Sequence, residues 1–318
     1  MSIIIPIYNV APYIATCLQS VIAQTYCGQL ECILIDDCGQ DDSISIAQQI
    51  IQDYQGTCSF NIIYHETNRG LSASRNSGIR AACGRYLYFL DSDDYLSPDC
   101  IASVMLLVSK YPNVEMVQGG CIVHGTKSNL CFDLQSSFLP EYVEGQSRVE
   151  CMMLNRKQFP ITSWNRLISK DFLVQHNLFF FEGIIHEDEL WHFQLAKHLK
   201  SLAILHQNIY NYVRRTESIT SVLFSQRASS LVQIARQMIQ ETSSNGSSIA
   251  IEYIRHFIHH YSFDIQDETQ RKSFLECSLD LSDKMPCFKR FLTRSWVRLA
   301  MQNIRKHYLL YTLLYHTA

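Results

Sequence analysis

Apolar and polar positions alternate along the first ninety residues in blocks of two different periods. Ser2 to Ile7 is an unbroken apolar run and reads as a strand buried on both faces, whereas Tyr13 to Gln24 carries its apolar residues at helical spacing. Leu30 to Ile35 repeats the first pattern and Asp42 to Tyr54 the second. Phe60 to His65 predicts a third strand, Ser72 to Cys83 a third helix, and Tyr86 to Leu90 a fourth strand. Strict alternation of this kind predicts right-handed βαβ crossovers, and so an α/β fold with a mostly parallel central sheet flanked by helices. Beyond it a helix is predicted over Asp99 to Lys110, strands near Val114 to Val123 and Leu202 to Val213, and a helix over Glu187 to Lys200. Thr242 to Ser248 is the clearest loop of the second half. The boundary falls between 215 and 225, which gives a first domain over 1–218 and a mainly α-helical C-terminal region over 219–318.

With 47% hydrophobic residues the chain can bury a substantial core, and a net charge of only −3 gives no general field to recruit nucleic acid. No two of the twelve cysteines stand at CxxC spacing, which argues against a zinc site or a redox pair and for free thiols. No apolar run reaches the roughly 18 residues that span a bilayer. Met1 and Ser2 lead directly into Ile3, Ile4 and Ile5 without a signal peptide, so a cytoplasmic location is expected.

The candidate chemistry lies where apolar runs end. In GRYLYFLDSDDYLSPD, Gly84 to Asp99, the fourth strand runs into Asp91, Ser92, Asp93 and Asp94. Open α/β sheets bind ligands at the carboxyl ends of their strands, and crowded carboxylates suit Mg²⁺ or Mn²⁺. The competing reading is an Asx-rich turn and helix cap before Pro98. A second strand ends likewise in ECILIDDCGQDDS, where Asp36 and Asp37 offer acceptors to a pyrimidine or ribose and Asp41 or Asp42 caps the next helix. PIYN presents Pro6 and Tyr8 at the end of the first strand. NRGLSASRNSG carries Arg69 and Arg75 into a helix, suited to a base carbonyl and to phosphate near a helix N-terminus; a solvated helix face is the rival for Arg75.

In order and spacing, PIYN, LIDDCGQDDS, NRGLSASRNSG and GRYLYFLDSDD resemble the nucleotide-binding half of family 2 glycosyltransferases, inverting enzymes of GT-A (Rossmann-like) fold, and the resemblance extends to about residue 215. It implies nucleotide-sugar binding by 1–98 and acceptor binding and catalysis by 99–218. By the same resemblance Asp37 contacts uracil with help from Arg69, Asp91 and Ser92 touch the donor ribose or sugar, and Asp93, with Asp91, binds the metal that bridges the diphosphate. Asp94 orients that shell. In GIIHEDELWHF, Gly183 to Phe193, the resemblance assigns the base to Asp188, paired with Glu187, where the rival is charge complementarity at a helix N-terminus. An HExxH zinc motif fails because position 190 is Leu190. Trp164 forms a floor under a sugar or packs in the core, and either Arg214 or Arg215 steadies the leaving diphosphate.

The activity so implied moves a hexose or N-acetylhexosamine from a UDP-sugar to a hydroxyl of a glycan or lipid-linked saccharide in cell-surface polysaccharide biosynthesis. Seven cations and no acids between Lys284 and Ala318, interleaved with Phe288, Phe291 and Trp296, suit peripheral contact with the inner face of a membrane, or a docked helix with its cations in water. Two rivals are a noncatalytic nucleotide-sugar or glycan-binding protein and a sugar nucleotidyltransferase. The second needs a glycine-rich loop after its first strand, where PIYNVAPYI has no glycine.

Overall fold

The computed structural model describes residues 1–125, 134, 138–156, 158–214, 224–242, 247–263, 265 and 267–284. Its contacts divide the chain into two units: Met1–Gly183 with Gln194–Thr216, and Ile184–Phe193 with the described residues beyond Thr216.

In the first unit the expected alternation appears as β1 (Ser2–Ile7), α1 (Ala11–Ile22), β2 (Glu31–Asp36), α2 (Ser43–Asp53), β3 (Ser59–Tyr64), α3 (Leu71–Ala81) and β4 (Tyr86–Phe89). There follow β5 (Tyr95–Leu96), α4 (Cys100–Lys110), β6 (Met116–His124), β7 (Tyr142–Glu144), α5 (Gln146–Met153), β8 (Arg166–Ser169), α6 (Lys170–Gln175), α7 (Glu187–His198), whose residues up to Phe193 belong to the second unit, and β9 (Ser201–Val213). The strands form one sheet of order β3-β2-β1-β4-β8-β6-β9-β5, with β7 also paired to β9. β1 to β4 are mutually parallel, β1, β2 and β4 being buried on both faces and β3 partly exposed at the edge, and β6 is parallel to β9. β8 enters antiparallel between β4 and β6, so the sheet as a whole is mixed. Gly78 lets α3 lie close on the sheet, because a Cβ there would stand 2.4 Å from Cγ2 of Ile4.

The second unit contains α8 (Phe224–Glu241), α9 (Ser248–Ser262) and α10 (Glu268–Ser282), which pack on one another. Leu231, Ile234 and Met238 of α8, Ile254 and Phe257 of α9, and Phe274 and Leu281 of α10 are buried. Ser247 and Asp267 cap α9 and α10 by accepting from the backbone N–H groups of Ala250 and Gln270. Ile184–Phe193 groups with these helices, whereas the sequence pattern assigns it to the first domain. The cysteines among the described residues are free thiols, and no described helix is long and apolar enough to cross a membrane. Arg215 and the basic segment after Lys284 lie outside the described residues.

Candidate active site

The parallel part of the sheet reverses its order between β1 and β4, the position where open α/β sheets bind ligands. Pairing of β1 with β4 ends at Ile4 opposite Phe89, while β1 and β2 stay paired as far as Ile7 and Asp36. Pro6 explains the difference. The carbonyl of Ile4 faces β4, where it accepts from the N–H of Leu90, so position 6 faces β4 as well and has no N–H to give. The side chain of Pro6 is buried in β1, where it ends a ladder. Tyr8, just beyond the strand, is exposed.

Residues 91 to 94 alternate in orientation. Asp91 and Asp93 are partly exposed, while Ser92, at 6%, and Asp94 are buried. Asp94 Oδ2 accepts from the Tyr210 hydroxyl at 2.7 Å and Oδ1 from the N–H of Val213 at 2.7 Å, which ties the turn to β9. Burial, and the charges of Asp93 and Asp91, push the Asp94 carboxyl well above the usual carboxylate range against those hydrogen bonds. Asp91 Oδ1 accepts from Nη2 of Arg75 at 2.8 Å. Among the described residues no three His, Cys, Asp or Glu side chains gather as a metal cage. Mg²⁺ and Mn²⁺ on a nucleotide need only about one or two carboxylates beside phosphate oxygens and water, a requirement that Asp91 and Asp93 fit.

Asp37 is 3% exposed, and both its oxygens are engaged within the protein. Oδ1 accepts from the N–H of Arg69 at 2.8 Å and lies 2.7 Å from Nδ1 of His65; Oδ2 accepts from the N–H of Gly70 at 2.7 Å. Nε2 of His65 lies 2.9 Å from the Ser77 hydroxyl on α3. Asp37 thus holds the loop before α3, at whose N-cap Gly70 takes φ +85. That loop exposes the Arg69 guanidinium, 3.3 Å from the equally exposed Glu182. Arg75, by contrast, is buried, which excludes the solvated-face reading. Its guanidinium also sits 5.2 Å from the ring centroid of Phe180. Asn76, which nothing in the sequence pattern singles out, accepts from the N–H of Phe180 and donates to its carbonyl.

Trp164 stacks on Tyr210 at 4.5 Å and on Tyr212 at 5.4 Å between ring centroids. The wall so formed includes the tyrosine that grips Asp94. Arg214 is exposed and follows Val213, whose N–H also binds Asp94, so β9 brings a cation next in sequence to the residue that anchors the acidic turn.

Glu187 and Asp188 open α7 in the second unit, both partly exposed, with Glu189 completing an acidic first turn that favours a helix N-terminus. Asp188 Oδ1 accepts from the N–H of Glu189 at 3.0 Å. Glu189 is buried, and its oxygens accept from the hydroxyls of Tyr253 and Tyr261 at 2.8 and 2.9 Å.

The model of the family described as Glycosyl transferase family 2 matches residues 2–173, more than half of the chain. The chain belongs to that family. This family 2 chain is similar to EpsJ of Bacillus subtilis (strain 168), named as an uncharacterized glycosyltransferase, with 28% identity over 230 residues, 70% of this chain and 63% of EpsJ. The chain spans about 63% of the length of such curated relatives. In fold it resembles S. aureus TarS 1-349, solved in complex with UDP-GlcNAc, with a TM-score of 0.68 and 20% identity over 90% of this chain and 81% of that one. The mannosyltransferase PcManGT of Pyrobaculum calidifontis, solved with GDP-Man and Mn²⁺, gives a TM-score of 0.57 and 16% identity over 94% of this chain and 80% of that one. Family 2 membership and a GT-A-like fold follow.

Proposed function

We propose that the chain is an inverting, metal-dependent glycosyltransferase that moves a hexose or N-acetylhexosamine from a UDP-sugar to a hydroxyl of a glycan or lipid-linked saccharide, in the building of a cell-surface polysaccharide. The observation that carries this reading is the alternation over residues 91 to 94 at the switch point of a family 2 fold: two carboxylates stay accessible while their neighbours are locked inward. UDP-GlcNAc in TarS and Mn²⁺ in PcManGT support the donor class and the metal.

The uracil and ribose lie by Tyr8 and the loop that Asp37 holds, with Arg69 at the base. Asp93, joined by Asp91, would hold Mn²⁺ or Mg²⁺, which when bound offsets charge on the leaving diphosphate. Arg75 fixes Asp91 in direction through the ion pair of 2.8 Å. Arg214 meets the diphosphate from β9 and takes up charge as the glycosidic bond breaks. Asp188 removes the proton of the acceptor hydroxyl, whose oxygen attacks the anomeric carbon opposite UDP, so an α-linked donor yields a β-linked product. Glu187 shapes the field around that base.

A panel of UDP-hexoses and UDP-N-acetylhexosamines, assayed for UDP release with Mn²⁺ and with chelator, tests the reading. Metal-dependent release and a β-anomeric product by NMR are expected. Binding of UDP-sugar without release under any acceptor condition would return the chain to a noncatalytic binder.

A further inference from the structure

We infer that Tyr253 and Tyr261 are positioning residues: their hydroxyls hold Glu189 so that the first turn of α7 presents Asp188 in one fixed direction. The inference rests on Asp188 being the base, as proposed above. Glu189 is 3% exposed, yet both its oxygens are engaged, Oε2 by Tyr253 and Oε1 by Tyr261. Two neutral donors spaced along α9 grip one buried carboxylate, and such charge-assisted hydrogen bonds are short and directional.

The residues on the other side of Asp188 are fastened as well. The N–H of Ile185 donates to the Ser230 hydroxyl at 3.1 Å, and Nε of Arg227 donates to Nε2 of His186 at 3.0 Å. His186 takes φ +66, a conformation that costs a non-glycine residue energy and persists only where its surroundings hold it. Its ring lies 5.1 Å from that of Tyr261, so one tyrosine touches both flanks of the turn. Residues 185, 186 and 189 are thereby pinned to α8 and α9 while Glu187 and Asp188 between them stay partly exposed. Successive residues of an α-helix are turned by about 100°, so a fixed Glu189 side chain fixes the heading of the Asp188 Cβ. The C-terminal helices, on this view, aim the base.

Tyr253→Phe and Tyr261→Phe keep the ring contacts with Phe193 and Phe257 and remove only the hydroxyls. Each single change is expected to lower kcat for transfer about 10-fold and the pair about 100-fold, the scale of a base displaced by a fraction of an ångström, with the KM for UDP-sugar and the affinity for UDP unchanged. In the Asp188→Asn background the same changes should cost nothing further, because residues acting through one group are not additive. Unchanged kcat with lowered melting temperature, or equal losses with and without Asp188, would overturn the inference, and the single variants decide should the pair not fold. A wild-type protein that transfers from no sugar nucleotide defeats the functional reading instead.

Discussion

Arg75 and Asp91 form an ion pair of 2.8 Å in which the arginine side chain is 2% exposed and the carboxylate 23%. The sheltered cation faces a half-open anion, so Asp91 is oriented from behind and its remaining lone pairs are left for solvent or ligand. Arg75→Met leaves that carboxylate without its partner next to Asp93 and Asp94, where mutual repulsion is already evident in the raised Asp94. A loss of about 1–3 kcal/mol in unfolding free energy is expected for removing the buried partner of a half-open carboxylate, read from urea titration. Addition of Mn²⁺ should restore part of it.

Asp93 is partly exposed between the buried Ser92 and Asp94. Asp93→Ala should abolish metal-supported turnover, lowering kcat by at least about 100-fold, and should remove the Mn²⁺-dependent part of UDP binding in calorimetry. A variant with normal Mn²⁺ stimulation would move the metal to other groups.

Asp188→Asn keeps the size of the side chain and an oxygen to accept from the N–H of Glu189. Affinity for UDP is expected to stay at the wild-type value while transfer falls about 10²- to 10⁴-fold, the usual share of a general base. Retained transfer would shift the base to Glu187 or refute the assignment.

Glu31 lends a pH dependence to folding that is independent of catalysis. Burial works to raise its carboxyl, but hydrogen bonds from the Ser2 hydroxyl and from the N–H groups of Cys83 and Gly84 outweigh it and hold the group below the usual value. A depressed folded-state value stabilises the fold at pH above the unfolded value of about 4.3, and that contribution disappears as the pH falls through the folded one. Glu31→Gln should therefore melt below the wild type at pH 7, and the difference should shrink as the pH falls below the unfolded value.

What could be read from the chain alone follows from where its signals are local. β1, β2 and β4 are short apolar runs buried on both faces, and their boundaries shift by only a residue or two between pattern and structure. β8 escapes because Arg166, wholly buried, reads as polar: its charge is accommodated by Gln118 Oε1 and the carbonyl of Pro160, partners distant or unremarkable in sequence. The acidic turn announces its carboxylates, but their division of labour depends on Tyr210 and Val213, more than a hundred residues away. Asp37 was legible as an acid at a strand end, whereas its grip on the backbone of Arg69 and Gly70 exists only once β2 and α3 are side by side. Glu189 is overshadowed in sequence by Asp188, and nothing local distinguishes a carboxylate that faces two tyrosines from one that faces solvent.

The antiparallel β8 has a consequence for biogenesis. Leu87 of β4 pairs with Ile168, which leaves the ribosome long after β1 to β4 have emerged. Until then the nascent chain carries a half-built sheet whose YLYF strand has one naked rim of peptide groups, an inviting template for a neighbouring polypeptide. Fragments that stop short of Arg166 should accordingly need a chaperone to stay dispersed.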